Sequence, residues 1–219
     1  MTNISSAPPQ TSRQSQGWQR LFALAYDPFL WIGELAGMRR LRSTLLQEAR
    51  GQVLEIGAGT GLNLVHYPDT VTDLVLTEPD PAMRRRLARR LQRERGAGRV
   101  VDAQAERLPL ADASVDTVVS TLVLCTVADL HRTLSEIGRV LRPGGQLLFI
   151  EHVRARSRFL AAAQDYLFEP WRRFACGCCC NRPTAEAMRD SGFAVQADEM
   201  VWRGMPRIVR PLVVGRATQ

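Results

Sequence analysis

The residues most suited to chemistry lie in the run Val53-Leu54-Glu55-Ile56-Gly57-Ala58-Gly59-Thr60-Gly61, where a carboxylate stands just ahead of three glycines at alternate positions. A short apolar run, then glycines, then a helical pattern from Leu62 reads as a buried parallel strand, a tight turn and a helix start. Glycine is needed where backbone takes unusual dihedrals or lies against a ligand with no Cβ between them. The spacing is G-x-G-x-G, not the G-x-G-x-x-G that aims a helix N-terminus at a pyrophosphate. Glu55 would repel a phosphate there and suits a cation such as an ammonium or a sulfonium. The plainer alternative is the nucleotide turn of some other doubly wound protein.

Other groups extend this pattern. Glu78 ends the apolar run Leu74-Val75-Leu76-Thr77, about 20 residues beyond the glycines, where an acid can accept both hydroxyls of a ribose. His152 follows a further apolar strand and is either a base or substrate contact, or an imidazole bonded to backbone beside a pocket. His66 and His131 fall on helical patterns. Cys176-Gly177-Cys178-Cys179-Cys180 contains one C-x-x-C pair without a second, so it lacks the two ligand pairs of a structural zinc site. Its readings are plain buried thiols, substrate contacts, or a soft-ion site for copper(I) or trivalent arsenic. No metal is expected.

These groups need elements to hold them. Residues 1–16, rich in Ser, Thr, Gln and Pro, read as a disordered tail. Residues 17–50 read as amphipathic helices broken at Pro28, the second running from about Leu41 to Ala49 and capped by Gly51. Their aromatic content suits a lid over the site, ordinary packing, or a membrane-surface helix. From residue 51 the chain alternates strands and helices: a helix from Thr60 to His66 stopped by Pro68, strand two at Leu74–Glu78, and a helix at Pro81–Arg95. Strand three follows at Val100–Ala103, strand four at Thr117–Leu122, a helix at Leu130–Leu141, and strand five at Gln146–Glu151. Phe193–Val201 and Ile208–Ala217 alternate as two closing strands. The Arg-rich faces of the 81–95 helix read as solvated more readily than as a phosphate site. Asp116 is expected to cap or brace a sheet edge.

Composition sets limits. The chain of 219 residues is 45% hydrophobic, enough for one α/β domain with a full core. Its net charge of +7 rests on 29 basic residues that are all Arg. Low aromatic content (6%) and the lack of an appended module speak against nucleic acid. Five cysteines with no paired framework, no membrane-length apolar run and no recognisable leader point to a reducing cytoplasm. Peripheral membrane contact through the N-terminal helices is compatible with that.

The motifs LEIGAGTG, TEPD, DAQAERLP and LRPGG, in this order, resemble the class I S-adenosylmethionine (SAM) methyltransferases. STLVLCTV, IEHV and FEPWRRFACGCCCNRPTAEAM further resemble the methyltransferase-like-seven group of thiol S-methyltransferases, from about Gly51 to the VVGRA ending. Cys178 matches a cysteine of that group, whereas Cys179 and Cys180 depart from it, and Gln104 stands where many relatives carry Asp. The group's N-terminal membrane anchor has no counterpart in this sequence. Bacterial relatives of this shape are often labelled phospholipid or quinone methyltransferases.

The resemblance implies a doubly wound, seven-stranded, mostly parallel sheet with a C-terminal antiparallel hairpin and an N-terminal helical lid over a methyltransferase domain at 51–219. It implies SAM bound by Glu55, Gly57, Ala58, Gly59, Gly61, Glu78, Pro79, Gln104, Ala105, Glu106, Thr121 and Leu122. The substrate pocket would be made by Tyr26, Trp31, Cys125, Trp171 and Cys178, with Trp202 and Met205 as further wall and His152 as the catalytic candidate. The implied activity is methyl transfer to a small thiol or sulfide. A phosphatidylethanolamine N-methyltransferase and a SAM-binding regulator without turnover are the alternatives.

Overall fold

The computed structural model describes residues 26–95 and 97–219. The expected tail at 1–16 and the start of the N-terminal helical segment, 17–25, lie outside them. Seven strands form one sheet: β1 (Gly51–Ile56), β2 (Val71–Thr77), β3 (Arg99–Val101), β4 (Val115–Thr121), β5 (Leu141–His152), β6 (Ala194–Val201) and β7 (Pro211–Thr218). Their order is β3-β2-β1-β4-β5-β7-β6. The first five strands are mutually parallel, and β7 runs antiparallel between β5 and β6. The order therefore reverses between β1 and β4, and ligands of open α/β sheets bind outside the strand carboxyl ends at such a point.

The helices cover both faces. Helix α1 (Arg39–Leu46) precedes the sheet, α2 (Pro81–Glu94) links β2 to β3, and α3 (Leu130–Val140) links β4 to β5. Helices α4 (Arg158–Tyr166), α5 (Phe168–Phe174) and α6 (Thr184–Asp190) fill the β5–β6 connection. Asp80 caps α2 by accepting from the Ala82 and Met83 amides at 2.8 Å, and Pro81 takes the first helical position. Leu87 and Leu91 seat this helix on the sheet, as Leu134, Ile137 and Val140 seat α3. Leu54, Ile56, Val118, Leu147 and Phe149 are fully buried in the central strands, which read as continuous apolar runs because both faces are covered.

Three local expectations are corrected. The helix predicted from Thr60 to His66 is a turn followed by one 3-10 turn, Leu64–His66. The segment is too short before Pro68, and Asn63 spends its side chain on Glu55, Thr121 and Arg42 rather than on a helix. Pro28 does not break the N-terminal helix, which runs over 26–33. The break is a π-turn at Glu34–Met38, where Gly37 takes φ 133°, open to a residue without Cβ. The second helix ends at Leu46 rather than Ala49, and Gly51 opens β1 instead of capping that helix.

The LRPGG turn is a bulge inside β5. Leu141 pairs with Val115 and Gln146 with Thr117, so the residues between them loop out of register. Arg142 Nη1 holds both oxygens of Asp116 at 2.8 Å, and Asp116 accepts the Gln52 amide at 2.7 Å. Asp116 thus ties β1, β4 and β5 together at the end remote from the crevice.

Candidate active site

A cavity of about 530 Å³ opens at the carboxyl ends of β1, β2, β4 and β5. Its floor is the glycine turn. Gly57 takes φ 54°, and a Cβ there would meet Val123 at 2.8 Å. Gly59 takes φ 58°, and a Cβ would find nothing nearer than 4.0 Å, so this backbone faces open space. The Gly59 amide donates to Glu78 Oε2 at 2.8 Å, and the Asp80 amide donates to Oε1 at 2.8 Å. Burial pushes the Glu78 carboxyl up, while these two amides pull it back. Of the residues the resemblance assigns to the cofactor, Gly57, Gly59, Glu78, Pro79, Gln104, Ala105, Glu106, Thr121 and Leu122 line the cavity.

Ala58, Gly61 and Glu55 do not line it. Gly61 packs toward Leu64 and Leu87, where a Cβ would come within 2.8 and 2.9 Å. Glu55 turns behind the loop, accepting from Asn63 Nδ2 at 2.8 Å and from Tyr67 Oη at 2.7 Å. Burial raises its carboxyl to about 7, against the pull of Tyr67, Asn63 and Arg42. Asn63 also binds Thr121 Oγ1 at 3.0 Å and Arg42 at 2.9 Å, and Arg42 reaches Glu34 at 3.1 Å. The motif carboxylate therefore organises a buried network joining the N-terminal segment, the glycine turn and β4.

The loop after β4 is held by another carboxylate. Glu151, fully buried, accepts from Ser120 Oγ at 2.7 Å, from the Val123 and Leu124 amides at 3.0 Å, and from the Cys125 amide at 3.1 Å. Leu122 sits at φ 61° inside this loop. Glu106 reaches across to the Ala128 amide at 2.8 Å. Sequence reading assigned Glu151 only to a strand; an acid directly before His152 in an apolar run was the available signal.

The other end of the cavity is apolar. Tyr26, Phe29 and Leu30 of the N-terminal helix meet Cys125, Trp171, Cys178, Trp202, Met205 and Val209 there. Trp31 is corrected: it is 62% exposed, with Ile32 and Leu35 beside it on the outer face, because the helix turns Phe29 and Leu30 inward. Phe29, Leu30 and Met83 are lining residues that the site prediction lacked. Asp27 was also missed. It accepts from Thr60 Oγ1 and from Arg86 at 3.2 Å, with Arg90 at 3.8 Å, so part of the supposed solvated Arg face of α2 holds the N-terminal helix on the glycine turn.

His152 lines this apolar end and stacks on Trp202, with ring centroids 5.7 Å apart and 25° between planes. Burial lowers its pKa to about 4, against the pull of the Pro211 and Val209 backbone, so the imidazole is neutral at neutral pH. Its Nδ1 and the Nε1 atoms of Trp171 and Trp202 are buried without a hydrogen-bond partner. Cys178 Sγ lies 3.9 Å from Cys125 Sγ, and the Cys179 amide donates to the Cys125 carbonyl at 2.8 Å. Among the described residues no group of three or more His, Cys, Asp or Glu could hold a metal ion. No helix among them is long and apolar enough to cross a membrane.

This sheet order, with an open glycine turn and a buried acid at the second strand end, defines a class I SAM-dependent methyltransferase. Comparison with known proteins agrees. Residues 54–149 match the family described as "Methyltransferase domain". Human thiol S-methyltransferase TMT1B is 36% identical over 185 residues, spanning 80% of this chain and 74% of the relative. Phosphatidylethanolamine N-methyltransferase of Cereibacter sphaeroides is 32% identical over 140 residues, spanning 62% and 68%. A solved Thermotoga maritima SAM-dependent methyltransferase, described as a possible histamine N-methyltransferase, superposes with TM-score 0.68 at 25% identity, covering 92% of this chain and 98% of that one. The chain belongs to the SAM-dependent methyltransferase family that includes the TMT1 thiol S-methyltransferases. SAM is its cofactor, and the open backbone at Gly59 beside the Glu78 carboxylate fits a nucleoside.

Proposed function

We propose that the protein methylates a small thiol or sulfide. The observation that carries this reading is the charge distribution of the cavity: Glu78, Asp80 and Glu106 line the nucleoside end, whereas the apolar end is made by Tyr26, Phe29, Leu30, Trp171, the Cys125 and Cys178 thiols, neutral His152, Trp202, Met205 and Val209, with no charged side chain among them. Among the described residues no Arg lines the cavity, which leaves a headgroup phosphate without a partner. The TMT1 relatives are thiol S-methyltransferases, which supports the same acceptor.

In this reading Glu78 accepts the ribose hydroxyls, Gln104 and Ala105 meet the adenine, and the Gly57–Gly59 backbone lies along the amino-acid portion. Bound SAM supplies a methyl group on a sulfonium, open to in-line displacement. The chain's part is to align the acceptor and exclude water. A thiol is already a few per cent thiolate near neutral pH and strongly nucleophilic, so it needs little base assistance. His152 positions the acceptor by hydrogen bonding, and residues 26–38 act as a lid.

The exposed face of Trp31, Ile32 and Leu35, followed by exposed Arg39 and Arg40, suits peripheral contact with an anionic membrane. It also keeps a phosphatidylethanolamine acceptor as the second reading. Incubation with methyl-labelled SAM and sulfide, an alkyl thiol or phosphatidylethanolamine, read by mass spectrometry, separates them. Labelled thioether is expected; labelled lipid alone would overturn the thiol reading, and no product with any acceptor would favour a SAM-binding regulator.

A further inference from the structure

Cys125 and Cys178 come from sequence segments 53 residues apart and meet with their sulfurs 3.9 Å apart. Both line the apolar end of the cavity, and both are nearly closed off from bulk solvent, at 0% and 6% exposure. The meeting is fixed by backbone on each side. Glu151 holds the Cys125 amide at 3.1 Å, the Cys179 amide binds the Cys125 carbonyl at 2.8 Å, and Arg182 binds the Leu124 carbonyl at 2.9 Å. Of the remaining thiols, Cys176 also lines the cavity but is exposed to solvent. Cys179 Sγ is engaged with the Gly177 carbonyl at 3.4 Å, and neither Cys179 nor Cys180 lines the cavity.

A pyramidal trivalent centre bonded to two sulfurs at about 2.3 Å holds them closer than a tetrahedral one would, at about 3.4 Å. The 3.9 Å contact between these thiols comes within that reach by a small side-chain rotation. Zinc would need two further ligands, which the described residues do not supply. A soft centre satisfied by two sulfurs, carrying its own organic substituent into the open cavity, fits both the donor number and the apolar surroundings. We propose that Cys125 and Cys178 form a two-sulfur capture site for an organic trivalent arsenical.

The reaction balances without an oxidant or reductant. An organoarsenic oxide and two thiols give two As–S bonds; the As=O oxygen leaves as water with both thiol protons, and arsenic stays trivalent. The contact with Cys125 lowers the Cys178 thiol against the opposing effect of burial, so Cys178 is the more acidic of the two and the one to attack first. A captured arsenical would occupy the acceptor end of the cavity and leave the Glu78 end free. The proposal rests on the cavity and does not require the thiol-acceptor reading.

The test uses the full-length protein and phenylarsine oxide. Intact mass is expected to show one phenylarsenic group added with two protons lost, reversible by a small dithiol but not by an equal concentration of monothiol. Mapping the wild-type adduct by alkylation after denaturation should show Cys125 and Cys178 protected and Cys176, Cys179 and Cys180 labelled. Cys125→Ala and Cys178→Ala should each weaken capture at least a hundredfold while SAM binding by calorimetry persists. Protection of two cysteines within 176–180, or an adduct released equally by monothiol, would overturn the proposal. The mapping stands even where a variant fails to fold.

Discussion

Gly33 lies directly against the indole of Trp202: a Cβ on Gly33 would sit 2.5 Å from Nε1 and 2.8 Å from Cε2. A Cβ on Gly204, from the other side, would meet Ile32 and Ala36 at 3.1 Å. The N-terminal helix and the loop after β6 therefore approach through two residues without side chains. Since Trp202 stacks on His152, the position of this helix is linked to the apolar end of the cavity.

Gly33→Ala should push the helix off Trp202, because overpacking costs about 1–3 kcal/mol and the wall behind the indole is filled. Methyl transfer is expected to fall at least tenfold while SAM affinity, measured by calorimetry, changes less than threefold. Equal losses in both would make residues 26–38 a support for the cofactor site rather than a lid.

Glu78→Ala should weaken SAM binding by about 1.5–3 kcal/mol, the range for hydrogen bonds to a charged group. The variant also frees the Gly59 and Asp80 amides, both now held by this carboxylate at 2.8 Å. Calorimetry finding an unchanged Kd would remove Glu78 from the ribose site.

These residues mark where the sequence was informative. Gly57, Gly59 and Glu78 were legible because backbone conformation and strand-end position depend on short segments. The sheet was legible because each strand is a local apolar run and the closing hairpin alternates. The roles of Asp27 and Glu55 were not, since each is set by partners distant in sequence: Arg86 for the first, Arg42 for the second. Trp31 misled for a related reason. Aromatic content identified the helix, but which of Phe29, Leu30 and Trp31 faces the cavity depends on how the helix docks at Gly33. The helix expected after the glycine turn was lost to Asn63, whose side chain serves the Glu55 network.

Burial raises the Glu55 carboxyl to about 7 from an ordinary value of 4.5. Between those values the folded protein holds a proton that the unfolded chain has released, so folding is favoured at the lower pH. This contribution is fully present below about pH 4.5 and is lost as pH rises through about 7. Glu55→Gln cannot titrate and keeps a polar side chain beside Asn63 and Tyr67. The wild-type Tm minus the variant Tm should therefore decline across this window in scanning calorimetry. A constant difference would mean that Arg42 keeps the carboxylate ionised throughout.

Glu151→Ala would strand three backbone amides and the Ser120 hydroxyl without their acceptor. Leaving even one buried donor unpaired costs about 1–3 kcal/mol. A loss of at least about 2 kcal/mol lowers Tm by about 4–8 °C for a chain of this size. Since the same loop carries Cys125 into the cavity, turnover should fall further than the Tm loss explains. A variant with wild-type Tm would show that the loop holds its shape without the carboxylate.

The proposed acceptor class can be tested at His152. Its pKa of about 4 leaves the ring neutral throughout the assay range, so it contributes a hydrogen bond rather than a charge. With a small thiol as acceptor, solvent supplies the partial deprotonation before binding. The rate should then keep rising with pH toward the thiol's own pKa of about 8.5, with no limb near an ordinary imidazole at about 6.5. His152→Ala should lower that rate only a few-fold. An amine acceptor is different, because its dominant ammonium form has no lone pair, and a positioned base becomes worth about 10²–10⁴-fold. Measuring pH–rate profiles of wild type and His152→Ala with sulfide and an alkyl thiol separates the two cases. A loss above a hundredfold with either thiol, in a variant that binds SAM normally, would refute the small-thiol mechanism with its modest demand on a base.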